Sequence, residues 1–199
     1  MTQTRTSRSV GRPRQFDEEA ALEAAMDAFW AKGYEATSMA DLCSSTGLHK
    51  GSLYQAFGDK HQLFMKALKA YSDQQFKEVA AAAFNADSPI ENIKSAVHVI
   101  CGRAGQVNGC MMINSMVELA PHDPEVRETL QGFAQQRFRF MADLIGKAQQ
   151  AGEIRADHDP VHLARQLMLT IAGGAVMVKS LLSIDDVQDA VETLIDSWV

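Results

Sequence analysis

The stretch SMADLCSSTGLHKGSLYQAF, residues 38–57, decides the fold of this chain. Thr37 or Ser38 caps the helix that opens it, and Asp41 follows Ser38 at the spacing of a capping box, in which side chains bond the free amides of a helix start. Apolar side chains recur within the next few residues. The stretch therefore predicts a short helix from about residue 39 to residue 45.

A second short helix follows after a tight turn. Gly47 permits that turn because glycine adopts left-handed backbone conformations without strain. Leu53 and Phe57 stand four residues apart, which places both on one buried face of a helix from about residue 49 to residue 57. Two short helices separated by a glycine-containing turn and braced by a preceding helix form a helix-turn-helix unit.

The second helix has the composition of a surface that meets DNA. Its exposed positions carry polar-tipped side chains and no acid, which phosphates would repel. Gly51 has no side chain and lets the helix approach DNA closely, at a cost of about 1 kcal/mol of helix stability relative to alanine. The exposed positions are His49, Lys50, Ser52, Tyr54 and Gln55.

Outside this unit the sequence also predicts helices, and no stretch alternates like a strand. A first helix begins near Asp17 and ends at Gly33, and a long helix runs from about residue 59 to residue 84. Further helices are predicted at about 89–103, 110–120, 123–151, 159–182 and 184–199. The fold class is therefore all-α.

The sequence has neither a membrane-length apolar run nor the apolar core of a signal peptide, which predicts a cytoplasmic protein.

Charge divides the chain into a basic end and an acidic remainder. The formal net charge is −6 over 199 residues, yet the first 16 residues carry four arginines and no acid. We expect Arg12 and Arg14 in this basic arm to contact DNA, where narrow A·T-rich minor grooves attract arginine. A solubilising tail is the alternative reading of the arm. A structural nucleoid protein would be basic throughout, which this chain is not.

The motifs together resemble the DNA-binding domain of the TetR family of repressors. The resemblance rests on the glycine after the first helix, the Thr/Ser-capped second helix, a recognition helix ending in Tyr-x-x-Phe, and the following Lys and Leu, all in register over roughly residues 15–65. The segment Gly11-Arg12-Pro13-Arg14 resembles the arm that often precedes this domain. The resemblance implies an N-terminal helix-turn-helix domain and a C-terminal helical domain for ligand binding and dimerisation.

The resemblance also implies residue roles. Tyr54 and Lys60 correspond to the phosphate-clamping tyrosine and lysine, and Thr37 and Ser38 to a backbone contact at the start of the second helix. The candidate base readers are His49, Lys50, Ser52 and Gln55. Lysine reaches guanine acceptors and glutamine pairs with adenine. Small hydroxyl residues are commoner where His49 stands, so its contact, base or phosphate, stays open.

The C-terminal part carries no enzyme signature, neither a phosphate loop nor a nucleophile elbow. An enzyme or binding module with an incidental helix-turn-helix would need a catalytic constellation after residue 75, and none is present.

Two apolar stripes lie on the last two predicted helices. They predict a four-helix dimer interface, with ordinary intramolecular core as the alternative. The stripes are Leu167, Ile171, Ala175, Val178 and Leu182, and Val187, Val191, Leu194, Ile195 and Trp198.

Cys110 is the candidate sensing residue. It follows a glycine-rich loop and begins a helix, where the helix dipole favours the thiolate, and Met111, Met112 and Met116 surround it with adaptable side chains. The segment around it resembles a Gly-Cys segment of some TetR-type regulators that sense electrophiles or oxidants. Alternatively it is a small buried hydrophobe. A soft-metal site with Cys101 and His98 is a weaker alternative.

These observations predict three regions and one function. The regions are a basic arm at 1–14, a helix-turn-helix domain at 15–65, and a sensing and dimerisation domain at 66–199. The function is that of a transcription regulator, a repressor that binds a palindromic operator as a homodimer and is released by a small-molecule or thiol signal. We expect double-stranded DNA, an effector and a second copy as partners, and no enzymatic activity, cofactor, metal or membrane.

Overall fold

The structure is a computed structural model that describes residues 16–105 and 108–199, and its regular secondary structure within those ranges is entirely helical. The helices are α1 Glu18–Lys32, α2 Met39–Thr46, α3 Lys50–Phe57, α4 Lys60–Ala82, α5 Pro89–Ala104, α6 Met111–Glu118, α7 Pro124–Gln150, α8 Pro160–Met177 and α9 Ile184–Asp196. The all-α prediction is confirmed. Arg12 and Arg14 lie outside the described residues.

The helix-turn-helix begins and ends where its capping residues place it. The Ser38 hydroxyl accepts a hydrogen bond from the Asp41 amide, and the Asp41 carboxylate accepts one from the Ser38 amide, which completes the predicted capping box. Gly47 ends α2 with a φ of 68°, a left-handed conformation that favours glycine. Asp59 and Gln62 form the same kind of box at the start of α4. Local side-chain chemistry therefore sets these boundaries.

The buried side chains form two clusters that α4 connects. The first cluster joins α1, α2, α3 and most of α4 to α6 and the first turns of α7. The second cluster is made by the end of α4, α5, the C-terminal half of α7, α8 and α9. Because α6 packs in the first cluster, it shares a core with the helix-turn-helix although it comes some 50 residues later in the chain.

The apolar stripes of the last two helices pack inside the subunit. Leu167 and Ile171 of α8 and Val191 of α9 are buried in the second cluster. A Cβ added to Gly174 would collide with Val187, so α8 and α9 approach closely within one chain. The prediction that these stripes form the contact between subunits is therefore wrong for their buried members, whereas Val178 and Leu194 are partly buried and Leu182 is 37% exposed. Helix α8 also ends at Met177, earlier than predicted, and turns follow to residue 181.

A different face of α8 stays exposed. Leu169 is 70% exposed and Val176 is 48% exposed, and Met177 and Leu181 extend the same apolar surface. Large exposed apolar side chains on one helix and the turn after it are candidates for an interaction site, and Leu169 also lines the cavity described below. Among the described helices, none combines the length and the low polarity that crossing a bilayer requires.

Candidate DNA-binding surface and ligand pocket

Helix α3 presents a polar face to solvent and an apolar face to the core. Leu53 and Phe57 are buried in the first cluster, where α3 packs against α2 and α4. On the opposite side, His49, Lys50 and Gln55 are exposed. His49 occupies the N-cap position of α3, and its imidazole makes no capping hydrogen bond there. The side chains that the sequence assigns to base contacts therefore project away from the protein.

Gly51 has no packing role within the subunit. It is exposed, and a Cβ built on it would meet no atom within 4 Å. A residue that costs helix stability without relieving a clash needs another reason to be present. Close approach of a partner to this face of α3 supplies that reason.

Tyr54 and Lys60 lie at the edge of the exposed face. Tyr54 is 41% exposed, and the Lys50 ammonium stands 5.5 Å from the centre of its ring. The Lys60 ammonium stands 4.3 Å from the ring of Tyr34, a cation–π distance. Ser52 is only half-buried. Lys50 and Lys60 therefore lie over aromatic rings, and neither forms an ion pair with an acid among the described residues.

Thr37 departs from the role that the sequence suggested. Its side chain is fully buried, and its hydroxyl donates to the carbonyl of Gly33. It therefore ties the start of α2 to the end of α1, and its buried hydroxyl is not available for the predicted contact with the DNA backbone. Ser38 next to it is exposed and remains the candidate for a backbone contact.

A cavity of about 330 Å³ lies between α4, α5, α6, α7 and α8. Cys110, Met112 and Met116 line it, so three of the four predicted sensing residues meet there. Met111 points elsewhere and is buried in the core shared with the helix-turn-helix. Its prediction as a lining residue is wrong because successive residues of a helix face different directions. The walls are otherwise mostly aromatic and aliphatic, which suits an apolar guest.

Arg137 of α7 also lines this cavity and is not among the predicted sensing residues. Its guanidinium donates to the carbonyls of Phe133 and Ser72 and to the Gln75 amide oxygen, at 3.3, 3.0 and 3.2 Å. Arg137 follows Phe133 by four residues and precedes Met141 by four, so it interrupts an apolar helix face. A charge within an apolar stripe is the signal that would have revealed it.

Comparison with known proteins identifies the family. A family model described as Bacterial regulatory proteins, tetR family, matches residues 21–67. A second, described as Tetracyclin repressor-like, C-terminal domain, matches residues 90–194. The chain belongs to the TetR family of transcriptional regulators. The prediction of a DNA-binding transcription regulator rather than an enzyme is confirmed.

TetR-family relatives match nearly the whole chain. The HTH-type transcriptional repressor ComR of Escherichia coli K12 is 31% identical over 96% of this chain and 93% of its own length. The uncharacterised regulator YezE of Bacillus subtilis is 30% identical over 92% of this chain and 96% of its own length. A cysteine-substituted variant of the TetR-family regulator CifR, solved on a 26-base-pair operator, is 28% identical with a TM-score of 0.82, covering 95% of this chain and 100% of that one.

In this TetR-family chain, α6 connects the pocket to the helix-turn-helix by hydrogen bonds. The Trp30 indole of α1 donates to the carbonyl of Gly109, next to Cys110, at 2.8 Å. At the other end of α6, the Glu118 carboxylate accepts from the amides of Tyr34 and Glu35 at 3.1 and 2.8 Å. The loop between α1 and α2 is therefore bonded directly to a helix that lines the ligand cavity.

A third connection joins α4 to α7. The His61 imidazole lies 2.7 Å from the carboxylate of Asp123, which caps α7. Hydrogen bonds from the Val126 amide, and then from His61, lower the pKa of Asp123. The carboxylate therefore stays charged at neutral pH, and it holds the first turn of α4 against the first turn of α7.

The three cysteines occupy different environments. Cys101 is fully buried in the second cluster, and burial raises the pKa of its thiol to about 11. Cys110 is 8% exposed and faces the cavity. Residues 16–105 and 108–199 contain no group of three His, Cys, Asp or Glu side chains placed to hold a metal ion. The alternative of a soft-metal site at Cys101, Cys110 and His98 is therefore not supported by these positions.

Proposed function

We propose that this chain is a ligand-responsive repressor that binds a palindromic operator as a homodimer in the bacterial cytoplasm. The observation that carries the proposal is that one chain has both an acid-free, exposed recognition helix and an apolar cavity, and that α6, which lines the cavity, is bonded to the α1–α2 loop of the helix-turn-helix domain. The proposal keeps the predicted regions, a basic arm at 1–14, a DNA-binding domain at 15–65 and a sensing domain at 66–199.

On the DNA side, α3 enters the major groove. Lys50, Gln55 and Ser52 read base edges, with His49 at the N-terminal end of the helix contacting a base or a phosphate. Tyr54, Lys60 and Ser38 contact phosphates, which fix the register without reading sequence. Gly51 brings the helix axis close to the bases. The exposure of Ser38, His49, Lys50, Tyr54 and Gln55 supports this arrangement, and Ser52 and Lys60 are partly exposed.

Dimerisation places two recognition helices on one operator. The exposed apolar face of α8, with Leu169, Val176 and Met177, supports a contact there between two copies of the chain. The exposed surface of α9 carries Asp185, Asp189 and other acids, so α8 supplies the apolar centre of the contact. A dimer of this kind reads half-sites about 34–36 Å apart, or a multiple of that distance.

Release follows when a ligand in the cavity favours a second arrangement of the two domains. A ligand shifts such a balance only through unequal affinity for the two arrangements. Met112 and Met116 repack readily around a guest. Movement of α6 then reaches the α1–α2 loop through Glu118 and Trp30.

Selection of bound sequences from a random DNA pool, followed by footprinting, tests the proposal. We expect a palindromic site with two protected half-sites and a stoichiometry of two chains for one site. A non-palindromic site, bound by a protein that light scattering shows to be a monomer, would contradict the proposal.

Removal of residues 1–14 tests the basic arm. It should lower the affinity for DNA without unfolding the chain, whereas equal affinity at physiological salt would favour the interpretation of the arm as a solubilising tail.

A second candidate signal is covalent modification of Cys110. The thiol faces the cavity, so an electrophile that enters the cavity meets its sulfur. With an α,β-unsaturated carbonyl as the electrophile, the sulfur forms a bond to the β carbon, the carbon–carbon π bond breaks, and the α carbon takes up a proton that replaces the one the thiol releases. Cys110→Ser should keep operator binding and lose release by electrophiles. If Cys110 labels no faster than Cys43 and Cys101, and Cys110→Ser responds like the parent, the signal is non-covalent.

A further inference from the structure

Among the described residues, Arg137 is the one charged side chain that lines the ligand cavity. Its hydrogen-bonded guanidinium presents almost no polar surface to the cavity, so a charged guest has to displace one of these hydrogen bonds. The lining of the cavity is aliphatic, aromatic or sulfur-bearing except for Gln75 and Arg137. Apolar walls of this kind, with a single fixed charge, orient a guest that has one charged end. The sign of the charge on that side chain therefore indicates the charge of the guest.

Arg137 lacks a negative counter-ion. Its guanidinium bonds only neutral acceptors, two backbone carbonyls and the Gln75 amide oxygen. In the parts of the chain that the structure describes, no carboxylate oxygen lies within the 4 Å of an ion pair with it. The remaining positions, 1–15 and 106–107, contain no Asp or Glu.

The nearby carboxylate that influences Arg137 is engaged elsewhere. The acidic groups that favour the charged guanidinium are the Cys110 thiol, then the Tyr71 hydroxyl and last the Asp73 carboxylate, and Asp73 is exposed and pairs with Lys69 at 2.7 Å. Burial lowers the pKa of Arg137, and arginine nevertheless stays protonated at neutral pH. A partly buried charge without a counter-ion is unfavourable, so an anion arriving in the cavity would improve its environment.

From this geometry we infer that the ligand is a small amphipathic carboxylate whose charged group pairs with Arg137 and whose apolar body fills the space between Phe76, Phe138 and Met112. The inference rests on the proposed function, because it names the chemical class of the effector for the same cavity. A carboxylate fits better than a phosphate ester, since a single guanidinium matches one negative charge and no lysine lines the cavity.

The test compares carboxylates with their uncharged amides of the same shape. The full-length protein is titrated by calorimetry with 3-phenylpropanoate and with the series from butanoate to decanoate, each beside its amide. We expect the best carboxylate to bind roughly ten-fold or more tightly than its amide, as a buried charge-assisted pair adds about 1.5–3 kcal/mol. Equal binding within the pairs, or no carboxylate bound at millimolar concentration, would overturn the inference.

Variants locate the effect at Arg137. Arg137→Gln should reduce the preference for carboxylate over amide to about two-fold or less, with the amide bound as before. Arg139→Gln is the matched control, since Arg139 lies on the same helix but is exposed and outside this cavity. An unchanged preference in Arg137→Gln would overturn the inference. If that variant does not fold, the carboxylate–amide comparison on the parent protein still decides.

Operator binding is measured separately, so that the two proposals fail in different ways. If the protein binds operator and an amide releases it while carboxylates do not, the effector is neutral and only the carboxylate inference is overturned. If carboxylates bind through Arg137 but operator binding is unaffected, the site is confirmed and the proposed release mechanism is wrong.

Discussion

The Trp30 indole N–H donates a 2.8 Å hydrogen bond to the Gly109 carbonyl, 79 residues away in the chain. Trp30 belongs to α1 of the helix-turn-helix domain, and Gly109 immediately precedes Cys110 at the wall of the ligand cavity. The Trp30 ring also packs edge-on against Tyr71 of α4, with 5.2 Å between ring centres. The bond therefore joins the DNA-binding side of the molecule to the segment that a ligand would touch.

Trp30→Phe should separate stability from signalling. The variant keeps an aromatic ring against Tyr71 and removes the N–H, so the free energy of unfolding should fall by about 1–2 kcal/mol, partly from the smaller ring. Operator affinity without ligand should change little, whereas release by a ligand should need a higher concentration. Denaturant unfolding and ligand titration of the DNA complex measure the two effects. Unchanged release would show that Gly109 does not transmit the signal.

Glu118 should contribute to both stability and DNA affinity. Glu118→Ala leaves the Tyr34 and Glu35 amides without their acceptor, which should lower the free energy of unfolding by about 1–3 kcal/mol. Operator affinity should fall as well, because the loop before α2 loses its anchor. Glu128→Ala, an exposed acid of α7, is the control and should behave like the parent. Equal operator affinity in the two variants would contradict this role.

Lys60 and Lys50 should differ in how they affect sequence preference. Lys60→Ala should weaken binding to all DNA sequences alike and reduce the salt slope of the binding constant by about 1. Lys50→Ala should instead change the preferred base at one position of each half-site. Binding to single-base operator variants at several salt concentrations distinguishes them. A change of base preference in Lys60→Ala with overall affinity intact would reverse the assignment.

The hydroxyl of Tyr71 should be dispensable for folding. It is buried without a hydrogen-bond partner among the described residues, and burial, followed by the nearby Cys110 thiol, raises the pKa of Tyr71. Removing an unpaired buried hydroxyl relieves a desolvation cost of about 1–3 kcal/mol. Tyr71→Phe should therefore unfold at the same or a higher denaturant concentration than the parent. A clear loss of stability would reveal a partner for the hydroxyl.

Val176 should be required for the dimer. Val176→Glu places a charge on the exposed apolar face of α8, where burial against a second copy would be costly. Light scattering should show a monomer at micromolar concentration, with an unchanged helical circular dichroism spectrum. Phe84→Glu is the control. It alters another exposed apolar side chain, just after the end of α4, and should remain dimeric. If Val176→Glu remains dimeric as well, the contact between subunits does not involve this face of α8.

The sequence by itself determined the helices, their order and the nature of the recognition surface. Capping pairs such as Ser38 and Asp41, and glycines such as Gly47, act on atoms a few residues away, so their effect can be read without knowing the fold. The polar, acid-free face of α3 is equally local.

Only the tertiary structure decided which surfaces become interior. The Leu167–Ile171 stripe had the same pattern whether it packed against its own chain or a second copy, and the fold places it inside the subunit. Thr37 is buried because α1 packs over it, and Arg137 meets Met112 and Cys110 because α6 and α7 converge on α4. These contacts join residues far apart in sequence, and a periodic pattern reports which face is apolar but not what covers it.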